Sequence, residues 1–210
     1  MNRSAKLRSH LQQFGDNSHA QILRAAETLF AERGLHSVSM QDIADAAGVS
    51  RATVFNRFGS KQLVLDAITA RSLEAYRHLL EAALADERTP TPELLETLFL
   101  RMGKGIEANK SLYREVFAEI RKVSMGLEAE GLSPDLRSQT YRLLTDLFRR
   151  GQERGEIAAG HSAGALATAF DSLLSGAVIQ WLHEGRRSGL AGLLTALIAI
   201  FLEGAVARRD

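Results

Sequence analysis

Apolar residues return every three or four positions in about nine successive stretches of this chain, the spacing expected of helices buried along one face. The first clear stretch runs from Ser18 to Arg33. There Ile22, Ala25, Ala26, Leu29 and Phe30 share a face, and Gly34 follows where a helix needs a left-handed stop. Ser39-Met40-Gln41-Asp42 reads as a capped start, with Ser39 able to cap the first turn and Asp42 placed against the positive end of the helix dipole. The helix that follows, Met40–Ala47, is short because Gly48 ends it. Ser50 opens a second short helix through Asn56, and Gly59-Ser60 breaks and recaps the chain. Lys61 then begins a long pattern through Leu63, Leu65, Ile68, Leu73, Tyr76, Leu79, Leu80 and Leu84, ending near Asp86.

Past the Thr89-Pro90-Thr91-Pro92 linker, helical patterns cover roughly residues 92–109, 111–125, 134–154, 162–184 and 190–207. Strand-like alternation of any length is absent from the sequence. The expected fold class is therefore all-α. Three segments follow from the pattern: a flexible basic arm at 1–17, a three-helix unit at 18–62 with its motif at 39–58, and a helical domain at 63–210. The arm mixes Arg3, Lys6, Arg8 and His10 with polar residues and shows no period. It reads either as a tail without function or as a contact to a DNA backbone or minor groove.

Charge sharpens this division. The formal net charge of the chain is only +1, but residues 1–61 hold eight Lys/Arg against five Asp/Glu, and residues 62–210 hold eighteen against twenty. The positive excess is N-terminal, where a polyanion partner would need it, although a solvated face explains three charges equally well. The absence of cysteine excludes disulfides, thiolate metal sites and a Cys nucleophile, and nothing points outside a reducing cytoplasm. The first fourteen residues lack the apolar run of a secretory signal. Leu190–Leu202 is apolar but shorter than the roughly 17–25 residues a membrane span needs. Residues 163–182 are long enough but carry Asp171, which costs about 2.5–3.5 kcal/mol at a membrane centre. Both are expected to be buried in protein, with no membrane partner.

The richest constellation is Ser39–Lys61, SMQDIADAAGVSRATVFNRFGSK. It describes two short helices joined at Gly48, a residue free to take the left-handed conformation, with Ile43, Ala47, Val49, Val54 and Phe58 as the buried contacts. The outer side of the second helix then carries Arg51, Ala52, Thr53 and Asn56. These types suit a major groove: Arg pairs with guanine, Asn with adenine, and Thr with phosphate or a thymine methyl.

From Ile22 through Leu63 the chain resembles the TetR family of bacterial regulators, in ILRAAETLFAERG, SVSMQDIADAAGVS and RATVFNRFGSKQL, each in family order and spacing. The resemblance implies a recognition helix over Ser50–Phe58, with Arg51, Ala52, Thr53 and Asn56 nearest the bases and Lys61 on a phosphate. A Ser or Thr at the position of Ser39 is usual. Phe55 stands where Tyr is frequent, which removes a phosphate-binding hydroxyl, and Arg57 stands where His is frequent and could restore charge nearby.

Other signals are weaker. Gly103-Lys104-Gly105 lacks the preceding strand and the following Ser/Thr of a phosphate loop, so it reads as helix irregularity or close packing. The six histidines show no i, i+4 pair, and no nucleophile elbow or paired carboxylates occur. The expectation is a non-enzyme with no cofactor and no metal. Asp171, within an apolar helix, has two readings: a contact to a polar effector group, or a buried or interfacial hydrogen bond.

The last two helical stretches, 162–184 and 190–207, are apolar around most of their circumference. Pairing them with a second copy in a four-helix bundle would bury the surplus. Two recognition helices about 34–36 Å apart then require a palindromic double-stranded operator. An effector pocket is expected among the helices between Lys61 and His183, with Tyr76, Phe99, Met102, Tyr113, Phe117, Leu143, Leu147, Phe170 and Leu174 as candidate lining suited to a largely apolar small molecule. The leading expectation is a ligand-released repressor. An activator or dual regulator of the same family, and a protein-interaction module that has lost DNA binding, remain as alternatives.

Overall fold

The computed structural model describes residues 3–124, 134–184 and 189–205, with side chains over 17–122, 138–183 and 189–204. Among these residues the chain is helical, in the order α1 (Arg3–Arg33), α2 (Met40–Ala47), α3 (Arg51–Phe58), α4 (Lys61–Ala85), α5 (Thr91–Ala108), α6 (Lys110–Ser124), α7 (Pro134–Glu153), α8 (Ala163–Glu184) and α9 (Leu190–Ala205). The expected all-α architecture is what the structure shows.

One boundary differs. α1 begins at Arg3, not Ser18, so the segment read as a basic arm carries helical backbone. Residues 3–17 contain no proline, and once a helix is nucleated each further residue adds a hydrogen bond at little cost. The side chains of Arg3, Lys6, Arg8 and His10, like residues 206–207 of the last predicted helix, lie outside the described residues.

Two apolar cores organise the helices. The N-terminal head closes over Ile22, Phe30, Ile43, Val54, Val64, Leu65 and Ile68, drawn from α1 to α4. Each such side chain contributes about 1.5–3 kcal/mol by burial. α6 also enters this core, through Leu112 and Val116, although the sequence pattern placed that segment in the distal domain. The second core gathers Leu80, Leu95, Phe99, Leu147, Phe148, Phe170, Leu174, Leu194 and Ile198 from α4, α5, α7, α8 and α9. α4 thus runs from one core into the other, and a helix shared in this way moves neither core independently.

Specific contacts fix the helix ends. Arg150 on α7 donates through Nη1 to the carbonyls of Ala83 (3.0 Å), Leu84 (3.1 Å) and Asp86 (3.0 Å), satisfying the open end of α4. Glu156 accepts from the backbone N–H of Thr91 at 2.7 Å, at the start of α5. Gly103 is a close-packing position: a Cβ there would lie 3.1 Å from the Cα of Ala191 and 3.1 Å from a methyl of Leu194. α5 and α9 approach as closely as a bare α-carbon allows.

α8 and α9 each keep a face outside both cores. Ala165, Ala169, Ser172 and Gly176 of α8, and Gly192, Ala196, Ala199 and Ile200 of α9, are exposed in the single chain, Ile200 to 64%. By length and composition, Ala163–His183 is the one described helix capable of crossing a membrane; its Phe170, Leu174, Val178 and Leu182 are buried in the second core.

Candidate nucleic-acid interface and ligand cavity

The α2–turn–α3 unit is built by its caps. Ser39 Oγ accepts from the N–H of Asp42 at 3.1 Å, while the Asp42 carboxylate accepts from the Ser39 N–H at 2.7 Å and from its hydroxyl at 2.5 Å. This reciprocal capping box holds the Asp42 carboxyl below its ordinary range, the Ser39 hydroxyl being the largest cause. Gly48 sits at φ 66°, ψ 32°, the left-handed geometry that lets α2 stop and α3 start within a few residues. Ser50 caps α3 by accepting from the Thr53 N–H at 3.1 Å, and its hydroxyl also pairs with the Thr53 hydroxyl at 2.8 Å.

With those caps set, α3 turns Val54 and Phe58 inward, and His19 stacks on the Phe58 ring at 4.7 Å. Arg51, Ala52, Phe55, Asn56 and Arg57 are exposed, and Thr53 is half-buried. The sequence-predicted reading residues therefore share one accessible surface. Ser39 and Ser50 sit at its edge with their hydroxyls engaged in capping. Phe55, 40% exposed, carries the Arg51 guanidinium over its ring at 5.2 Å, so the residue that lacks the family hydroxyl instead gives Arg51 a platform.

Lys61 is engaged within the head. Its ammonium donates to the carbonyls of Leu35 and Val38, each at 2.7 Å, and more distantly to His36 at 3.5 Å. The loop between α1 and α2 leaves these carbonyls without helical partners, and the first residue of α4 lies within reach of all three. The resemblance implies a phosphate contact for Lys61; in the single chain its ammonium is engaged by these loop carbonyls.

A cavity of about 880 Å³ opens between α4, α5, α6, α7 and α8. Of the predicted lining, Tyr76, Phe99, Met102, Tyr113, Phe117 and Leu174 meet there. Leu147 and Phe170 do not: both are fully buried in the second core, where the Phe170 ring meets Phe99 (5.0 Å), Phe148 (5.4 Å) and Phe201 (5.1 Å) edge-on. Leu143 packs against that core, and Leu144 reaches the cavity in its place. Hydrophobic spacing identifies the apolar face of α7, but the rotation of the helix decides which neighbour lines a void.

Sequence reading missed Leu73, Leu79, Ile106, Val116, Ile120 and Val178, and most of the polar lining, Ser72, Arg101, Thr140, Tyr141, Arg142 and Ser175. Asp171 and Ser175, one turn apart in an otherwise apolar helix, were the available signal. Asp171 lines the cavity and also has a partner within the protein, so both of its readings stand. Burial, and after it the Asp171 charge, push the Tyr76 phenol far above its ordinary value. Burial also raises Tyr113, aided by Glu27 and opposed by a hydrogen bond with Ser72. Among the described residues no group of three or more His, Cys, Asp or Glu side chains could hold a metal ion.

Residues 22–68 match the family model described as bacterial regulatory proteins, tetR family. The chain is 26% identical over 165 residues to the transcriptional repressor BepR of Brucella suis, covering 77% of this chain and 79% of that protein. It is 26% identical over 188 residues to the transcriptional repressor KstR2 of Rhodococcus jostii, covering 88% and 89%. Among solved structures, it is similar to Thermus thermophilus FadR, a TetR-family repressor in complex with lauroyl-CoA, with a TM-score of 0.62, 25% identity, and coverage of 91% and 97%.

Proposed function

We propose that this chain is a transcriptional regulator of the TetR family, a homodimeric repressor released from a palindromic operator by a small, largely apolar effector. The carrying observation is that α6 serves both parts of the molecule. Its Leu112 and Val116 are buried in the head, while Tyr113, Val116 and Phe117 line the cavity. A ligand filling the cavity presses on a helix that the reading head needs in order to stay packed.

The exposed faces of α8 and α9, rich in Ala and Gly, suit close pairing with the same two helices of a second copy. Dimerisation would set two α3 helices about 34–36 Å apart, one turn of DNA. The relatives named as repressors support the sign of regulation, and the neighbour that holds lauroyl-CoA, with its twelve-carbon acyl chain, supports an effector with a substantial apolar part. Such a protein would work in the bacterial cytoplasm, where its operator is.

The test is selection of a binding site from random duplex DNA, followed by affinity measurements across a salt series. Arg51→Ala should weaken binding about 5–150-fold, equivalent to 1–3 kcal/mol, and relax the preferred base at one position per half-site. Unchanged affinity and an unchanged site would show that α3 does not read DNA.

A further inference from the structure

Phe55 is the large apolar side chain on the outer face of α3, 40% exposed, and neither apolar core claims it. Arg51 stands four residues before it, at the first position of the helix. Helical side chains lean back toward the N-terminus, so a side chain at i+4 falls against its neighbour at i. The Arg51 guanidinium carbon lies over the Phe55 ring, 5.2 Å from its centre. Among the described residues no hydrogen bond or ion pair of Arg51 competes with this contact. Local stability explains neither choice of residue. A cation in the first turn meets the positive end of the helix dipole, and α3 has no acidic residue there to offset it. An exposed phenyl ring keeps apolar area in water.

We propose that Phe55 is a positioning residue for sequence readout: its ring holds the Arg51 guanidinium in place, so that Arg51 presents its N–H fork to a guanine in the major groove of the operator. The proposal rests on the reading of α3 as the DNA-contacting helix given above.

The kind of partner matters. A carboxylate at position 55 would hold the guanidinium through its N–H groups, the donors that the O6 and N7 of guanine must receive. An aromatic ring attracts the cation through its quadrupole and offers no oxygen acceptor, so those donors stay available. A free arginine side chain loses rotamer freedom when it binds, and a contact made beforehand lowers that loss. The gain falls on the base that accepts the fork, because at any other base the positioned donors lack a matching pair of acceptors. Phe55 itself has no charge and no hydrogen-bonding group, so it adds nothing to phosphate attraction.

Affinity measurements on the full chain, with its selected operator and with duplexes substituted at each position of the half-site, test this. The proteins compared are wild type, Phe55→Leu, Phe55→Tyr, Arg51→Ala and the Phe55→Leu/Arg51→Ala double variant, and thermal midpoints verify that each folds. Phe55→Leu should lower discrimination about two- to fivefold at the position that Arg51→Ala relaxes, the size of one exposed cation–π contact. Its salt slope should equal that of wild type, since no charge is removed. Phe55→Tyr keeps the ring and should keep the discrimination. In the Arg51→Ala background, Phe55→Leu should change nothing at that position. Discrimination that is unchanged in Phe55→Leu, lost at a different position, or lost equally in Phe55→Tyr overturns this inference alone. So does a Phe55→Leu effect that persists in full without Arg51. If Arg51→Ala itself leaves affinity and site unchanged, the reading of α3 fails and this inference with it.

Discussion

Asp42 receives hydrogen bonds from both polar groups of Ser39, and the exchange is reciprocal, so a single half-buried carboxylate fixes how the α2–turn–α3 unit begins. Its folded-state pKa lies below the ordinary 3.8. Its stabilisation is therefore complete above that value and lost as the pH falls through the lowered one. Comparing thermal midpoints of wild type and Asp42→Asn should show a gap at neutral pH that closes on acidification below about 3.8; a gap constant with pH would deny the linkage. At Lys61 a charge serves structure. Lys61→Met strands three loop carbonyls and should cost about 1.5–3 kcal/mol in denaturant unfolding while leaving the salt slope of DNA binding unchanged. A slope lowered by about one would return Lys61 to the phosphate backbone. Neither role shows in residue type, because an exposed-looking Lys at a helix start reads the same whether its acceptors are phosphates or carbonyls.

Among the elements, α4 and α6 join the halves of the molecule. The Arg71–Glu27 ion pair ties α4 to α1, and Tyr113 of α6 lies beside Glu27 and is hydrogen-bonded to Ser72. Both Tyr113 and Ser72 also line the cavity. A ligand there touches side chains one step removed from the head. The joint between α5 and α9 is tighter, and it sets how α9 presents its outer face. Gly103→Val places methyl groups against the backbone of Ala191, so it should lower stability by about 1–3 kcal/mol, read as a fall in thermal midpoint. A midpoint equal to wild type would mean that the two helices can part without cost.

For the whole molecule the question is what covers α8 and α9. Ile200, 64% exposed on a face of Ala and Gly, is the side chain with most apolar surface to lose in a dimer. Ile200→Glu should shift the protein to a monomer in sedimentation analysis and weaken operator binding, since one head alone reads only half a palindrome. A variant that remains dimeric with full operator affinity would place the interface elsewhere.

Periodicity and caps alone determined the helical elements apart from the start of α1, because buried faces and glycine stops are local: Gly48, Ser39 and Ser50 act within four residues of themselves. The exposed face of α3 was legible for the same reason, since a short helix with Val54 and Phe58 inside must show Arg51, Ala52 and Asn56 outside. The cavity was only half legible. Tyr76, Phe99 and Leu174 line it, whereas Leu147 and Phe170, equally apolar, fill the core, and no local pattern separates a wall from an interior. That choice, like the engagement of Lys61 and the entry of Leu112 and Val116 into the head, depends on how helices distant in sequence rotate against one another. Packing fixes those rotations by contacts whose partners a linear pattern does not name.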